Sequence, residues 1–453
     1  MNDTAGEDFG FPKKIAQQQK ILQLLEQHPQ MSLSQLHAAT DIRSRQTVLS
    51  YVQELATVIQ RYSPNNQLQL TIQANKGIHF HRANCNLTTI KQQLYSQSLV
   101  YKIMYQLLLS REFVAHSFCE QQGVSFSKLR RQIKKINQAL AIESIKIKVG
   151  ETVQLVGDEW QLRFLLVLFF YKVDHGLPMS LKQEADAQWN EAQAITQAFS
   201  WTQEQSLLDI IALILFVNKR SNNQLDMQVV YRIGKDMPEG LTVEQQQVWL
   251  ILAALDQIPL TTTIQPVATI EWWLECFQTV GGRISPVERG LFQRFAHQQV
   301  VLQTLFFPPN TWFMPGPSFA SALTEKQEQQ ARLLFEATWE VFQRDSKEKY
   351  FSKAVLWQVF LQVLPRQQWQ TPLNVYLQSA FPQRWQYQVQ QQISNYFTSD
   401  FQITFVAVPT QAQVIVSTED SDVDTSIPTV WIEEVLVEGD WLQLSNCFQA
   451  ITD

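Results

Sequence analysis

Cysteine is scarce and scattered in this sequence. Cys85, Cys119, Cys276 and Cys447 are its only four, too widely spaced to read as a disulfide framework or a metal cluster. Such usage suits a reducing cytoplasm. Glycine and proline are thin as well, 14 and 17 of 453 residues, leaving little room for long disordered stretches. The longest apolar run, Phe164 to Tyr171, is bounded by Arg163 and Lys172. It falls well short of the ~20 residues a membrane helix needs, so it reads as buried helix and no membrane contact is expected. No basic segment leads into an apolar stretch near Met1, and a cytoplasmic protein is therefore expected. The signatures of common enzymes are missing too: no P-loop, no Gly-rich dinucleotide turn, no HExxH, no GxSxG and no Cys/His cluster with metal spacing. Neither catalysis nor a cofactor nor a metal is expected.

What is present is ample apolar material, 45% of the chain with 11% aromatic, more than one ordinary core accommodates, so several domains are expected. Formal net charge is -6, at first sight the wrong sign for a nucleic-acid binder. Its distribution reverses that impression. Residues 1–160 carry 18 Lys+Arg against 12 Asp+Glu, and the remainder 18 against 30. A basic head on an acidic body is the expected electrostatic footprint of a DNA-binding protein.

The N-terminal region reads as helix, helix, turn, helix. Ile21, Leu24 and Leu25 recur at helical spacing, and Ser32 with Gln35 forms a capping-box pattern opening a short helix over Leu33 to Thr40. Asp41-Ile42-Arg43 turns the chain, and Ser44 caps a third helix whose Val48, Val52 and Leu55 face inward. Gln67 to Gln73 and Gly77 to Arg82 alternate around Asn75-Lys76-Gly77, as a hairpin wing would. The plan then repeats. Helices are expected over Leu99 to Leu109, Glu112 to Gln122 and Ser125 to Leu140, with a turn at Gly123, followed by a second wing over Ser144 to Val149 and Thr152 to Val156.

Beyond Gly157 helical periodicity dominates, and two bundles are expected with a boundary at Gly281 to Ser285. The end of the chain differs. Strand-like segments at Gln402 to Val408, Ala412 to Ser417 and Thr429 to Val435 alternate with helices at Tyr387 to Tyr396 and Asp440 to Ile451, a small α/β domain. The acidic stretch Glu419, Asp420, Asp422 and Asp424 reads as a solvated turn, because no glycine-spaced calcium loop accompanies it.

In a helix-turn-helix the third helix enters the major groove and flanking cations hold phosphates. The second unit offers Ser127, Lys128, Arg130, Arg131, Lys134 and Lys135 on its non-apolar faces, and Lys146 and Lys148 on its wing. Between Gln121 and Val149 seven basic residues face one acid, Glu143. Arginine suits guanine O6 and N7, lysine suits phosphate. The competing reading is an ordinary solvated helix face. The first unit is more modestly basic, offering Arg43, Ser44, Arg45, Gln46 and Thr47, and a use in packing or dimer contacts alone is the competing reading.

The tandem winged units, the junction Leu155-Val-Gly-Asp-Glu-Trp-Gln-Leu-Arg163, the two bundles and the α/β tail together resemble the Mga/AtxA family of PRD-containing virulence regulators of Gram-positive bacteria. The resemblance implies a mainly α, multidomain protein. Its parts would be two winged helix-turn-helix domains (1–85 and 86–157), two helical-bundle PTS-regulation-like domains (158–282 and 283–388) and a small C-terminal α/β EIIB-like domain (389–453). It implies promoter binding by both heads, signal input through the sugar phosphotransferase system by histidine phosphorylation, and a homodimer. The histidines in or near the regulation region are His175 and His297, each of which also reads as an ordinary core or surface histidine. An active EIIB domain has a cysteine after its first strand, where this sequence shows Val408-Pro409-Thr410-Gln411, so the tail reads as a scaffold kept for dimerisation.

The expected partners are thus double-stranded promoter DNA, a second copy of the chain and phosphotransferase-system proteins. Two alternatives stand beside this reading, an RNA-binding antiterminator with PTS-regulation domains and a PTS-linked phosphoacceptor. The antiterminators' head is a small β-sheet domain, whereas the head here is helical twice over, which favours duplex DNA.

Overall fold

The computed structural model describes residues 9–63, 67–73, 77–140, 145–201, 203–221, 237, 240–258, 265–280, 284–302, 325–345, 353–363, 371–397, 401–419 and 427–452. In the first unit, α1 (Lys13–Gln27), β1 (Gln30–Met31), α2 (Leu33–Ala39) and α3 (Arg45–Tyr62) precede the strands β2 (Leu68–Gln73) and β3 (Gly77–Arg82). The expected capping box forms: Ser32 Oγ accepts the Gln35 N–H at 3.2 Å while Gln35 Oε1 accepts the Ser32 N–H at 2.8 Å. Ser44 Oγ likewise accepts the Thr47 N–H at 3.1 Å. Val48, Val52 and Leu55 are fully buried in one core with α1 and the sheet, which Ile90 and Leu94 of the following helix complete.

The wing is antiparallel, Leu68 opposite Arg82 and Gln73 opposite Gly77, with β1 added on the other side of β3. Its turn residues 74–76 lie outside the described residues. Gly77 has φ +89° and leaves only 2.7 Å between a would-be Cβ and the Met31 carbonyl oxygen. Gly77→Ala is expected to cost roughly 1–3 kcal/mol, from both the left-handed backbone and the lack of space. A lowered midpoint in thermal unfolding checks this.

After α4 (Thr88–Ser96) the second unit runs α5 (Leu99–Ser110), β4 (Glu112–Val114), α6 (Ala115–Gln122), α7 (Phe126–Leu140), β5 (Lys146–Val149) and β6 (Thr152–Val156). Here one expectation is corrected. Glu112 to Val114 do not start the second helix but pair with Gln154 to Thr152 as an edge strand, because α5 ends at Arg111 in a left-handed conformation, φ 62°, and the chain turns back along the wing. The Gly123 turn is as expected: it sits at φ +60° and its N–H caps the Cys119 and Glu120 carbonyls.

From Glu159 the helix α8 (Glu159–Asp174) is buried on nearly every side, Phe164 to Tyr171 without exception. With helices 186–198, 205–219 and 243–254 it forms one core, which continues without a break into that of the second unit. A separate core joins helices 265–279, 286–301, 325–345 and 353–363 around Trp273, Phe295, Phe335 and Phe360. The boundary expected at 281–285 therefore differs from the one the cores define. Ile270, Trp273, Leu274 and Phe277 belong to the second core, so the division falls before Gln265.

The tail is a parallel four-stranded sheet in the order β10-β9-β7-β8, made of β7 (Thr371–Gln378), β8 (Phe401–Phe405), β9 (Val414–Ser417) and β10 (Thr429–Trp431), with helices 383–396 and 438–452. It begins well before residue 389, since β7 is a central strand paired on both sides. The loop after the first strand is accordingly Ser379-Ala380-Phe381, not Val408 to Gln411. It also lacks a cysteine, and Ser379 is buried with its Oγ 3.0 Å from Thr418 Oγ1. Glu419, expected in solvent, is half-buried, and burial pushes its carboxyl up to about 7. Asp420, Asp422 and Asp424 lie outside the described residues.

Candidate nucleic-acid interface

The cationic face of α7 is produced by helical geometry. Leu129, Ile133, Ile136 and Leu140 are buried at the i, i+4, i+7 spacing. This turns Ser127, Lys128, Arg130, Arg131, Lys134 and Lys135 outward, and all six are exposed. Among the described residues none of the five cations forms an ion pair. The helix start is capped by Ser125, whose Oγ accepts the Lys128 N–H at 3.2 Å.

The wing stands at a defined place beside this face. Ile147 is buried, which by the strand alternation sends Lys146 and Lys148 to solvent. Asn137 fastens wing to helix by a two-bond clamp: its Nδ2 donates to the Ile147 carbonyl and its Oδ1 accepts the Ile147 N–H, both at 2.9 Å. Sequence reasoning passed over Asn137, because its partner lies ten residues further along the chain and only a polar position at the edge of the stripe hinted at it.

A second support was also missed. Phe9 and Phe11 reach the bundle core, their rings 5.2 and 5.8 Å from that of Phe169. Between them the Gly10 carbonyl accepts a 2.7 Å hydrogen bond from Gln132 Nε2 on α7. The chain then enters α1, so this strap ties the first unit to α7 of the second.

In the first unit Arg43, Ser44, Arg45 and Gln46 are exposed at the head of α3, while Thr47 is half-buried. The Ser44 and Thr47 hydroxyls bond each other at 2.8 Å, so these two shape the helix start and leave Arg43, Arg45 and Gln46 as the outward set.

The junction below the second unit explains its own sequence. Asp158 caps α8 through the Gln161 N–H at 3.2 Å. Glu159 faces Arg163 Nε at 2.7 Å and Arg111 at 3.3 Å, and the buried Arg163 also reaches Asn218 and Gln247 at 3.2 and 3.1 Å. Burial alone would raise the Glu159 carboxyl. Hydrogen bonds from Arg163 and Ser221, with the charge of Arg111, hold it below its ordinary value.

The family model of the Mga helix-turn-helix domain matches residues 83–170, which take in α4, the whole second unit and most of α8. The chain carries an Mga helix-turn-helix domain. Such a domain is a DNA-binding unit of regulators, and the cationic α7, its wing and the Asp158-Glu159…Arg163 junction all fall inside the match. No curated protein matches the chain. Among the described residues no helix is long and apolar enough to cross a membrane.

The two candidate phosphorylation sites lie outside the matched residues. His175 ends α8 at φ 60°, its Nε2 3.0 Å from Glu434 Oε1 and its ring edge-on to Phe381 at 5.2 Å. His297 is 5% exposed in the second bundle, on a cavity of about 470 Å³ shared with Arg294 and Gln383. The structure does not bring the two together in one site.

Proposed function

We propose that this protein is a transcription regulator that grips duplex promoter DNA with both N-terminal heads, the Mga domain supplying the main contact. One observation carries the reading: five unpaired cations of α7 share an exposed face, with two more on a wing clamped beside it. A helix so equipped meets the requirements of a major-groove reader, arginine for guanine edges and lysine for phosphates. The first head contributes Arg43, Arg45 and Gln46, of which Gln46 suits adenine.

The bundles and the parallel-sheet tail, taken as PTS-regulation-like and EIIB-like parts, would act by holding two copies together and so placing four heads on one site. The domain order and the small parallel sheet support this. Phosphotransfer is given no part in it, because Glu434 occupies His175, His297 is buried and Ser379 stands where a nucleophilic cysteine would be needed.

Competition between duplex DNA and an RNA hairpin of equal length tests the reading. Duplex is expected to win by at least about tenfold at matched salt, with the steep salt dependence of phosphate contacts. Preference for the hairpin would replace DNA by RNA as the partner.

A further inference from the structure

The first head and the tail are joined by a buried ion cluster. Arg82, the last residue of β3, is 4% exposed, with Nε 3.0 Å from Glu26 of α1, Nη1 3.0 Å from Glu433 and Nη2 against Asp440. Glu433 and Asp440 belong to the tail and lie about 350 residues away along the chain. Lys91 of α4 meets the other oxygen of Glu433.

Between Arg82 and Lys91 the connecting segment is held at nearly every step. Asn84 Nδ2 donates to the Thr429 carbonyl at 3.0 Å, Asn86 Nδ2 to the Thr418 carbonyl at 3.2 Å, and the Leu87 N–H to Glu433. Asp440 is fixed in turn by the Val437 N–H at 2.9 Å. Burial first, and Glu433 beside it second, raise the Glu26 carboxyl well above the usual carboxylate range. Arg82 and Lys91 thus face Glu26, Glu433 and Asp440, and such mutual pairing is what a buried cluster of charges requires.

We propose that this cluster is a latch by which the tail holds the first head and the segment leading to the Mga domain, so that a rearrangement of the tail redirects the first head. The geometry favours a device of position over one of occlusion, since Arg43, Arg45 and Gln46 stay exposed while the latch is closed. The core of the first head takes in Ile90 and Leu94 of α4 but no residue of the tail, so head and α4 form one body that the latch joins to the tail. A cavity of about 470 Å³ lies alongside, lined by Glu26, Lys91, Lys172, His175, Glu433 and Glu434. Its mixed signs favour neither an anion nor a cation, and no ligand is assigned to it.

The test compares the protein with the triple variant Arg82→Met, Glu433→Gln, Asp440→Asn, which removes three charges of the cluster together and leaves Lys91, a quarter exposed at its side chain, to solvent. Amide exchange at residues 84–91 and 432–437 is expected to accelerate by at least about tenfold, while Val48 to Ile59 in α3 keep their protection. Small-angle scattering is expected to show a larger radius of gyration. Unchanged exchange at the junction together with unchanged scattering overturns the latch.

Should the triple variant not fold, Glu433→Gln alone decides. Arg82 then keeps Glu26 and Asp440, and the same amides are expected to exchange about threefold faster, no change being the overturning result. The consequence for DNA rests on the proposed function and is read separately. A duplex long enough for both heads should bind the variant about tenfold more weakly, a fragment covering the Mga domain's site equally well. A wild-type protein that binds no duplex refutes the functional reading and leaves the exchange result standing.

Discussion

Replacing Arg130 and Arg131 together by alanine is expected to weaken duplex binding by at least about tenfold, and the slope of log affinity against log salt should fall by roughly two. Each phosphate contact releases counterions and contributes close to one unit of slope. An arginine seated on guanine instead costs ~1–3 kcal/mol and relaxes the preference at that base pair. Both side chains are exposed and outside the buried stripe of α7, so thermal unfolding should stay within about 0.5 kcal/mol of wild type. Titration of a labelled duplex at several salt concentrations measures both quantities. Unaltered affinity and slope would remove α7 as the main contact and with it the central claim of the functional reading.

The largest effect on stability is expected from Phe169→Ala. Phe169 is fully buried where three parts of the molecule meet: the strap at Phe9 and Phe11, Tyr101 of α5 at 6.3 Å, and its own neighbour Phe170 at 5.0 Å. Emptying such a site loses about 3–5 kcal/mol, transfer and cavity terms combined. Calorimetry should show the transition containing the Mga domain and first bundle fall by roughly 10 °C. Leu442→Ala, at an exposed position of the last helix, serves as the control, with a change of less than about 0.5 kcal/mol. An unshifted midpoint for Phe169→Ala would mean that the second unit and first bundle do not share one core. Loss of the Phe9 anchor should also loosen the Gly10–Gln132 bond, so weaker DNA binding is expected to accompany the lost stability.

The parts of the interface that were legible are those whose cause is local. Ser32 with Gln35, Ser44 and Gly123 announce helix ends because capping is decided within four residues. The Leu129, Ile133, Ile136 stripe announces which face of α7 is dry, and by exclusion which face is cationic. Several features depend on partners distant in sequence and were misread or missed. Glu112 to Val114 look helical until β6 is set beside them. Thr371 to Gln378, with Pro372 near its start, went unassigned although it is the centre of the tail sheet.

By itself the sequence determined most helices and the wing strands of the two N-terminal units, the sign and place of their charge and the helical character of the middle, because periodicity and capping act over one or two turns of chain. Tertiary structure alone decided which helix joined which core, where the tail begins, and that Arg82 should meet Glu433 and Asp440 across some 350 residues. The physical reason is that burial of a charge or an aromatic ring is settled by whatever surface reaches it, and a chain carries no local record of that surface.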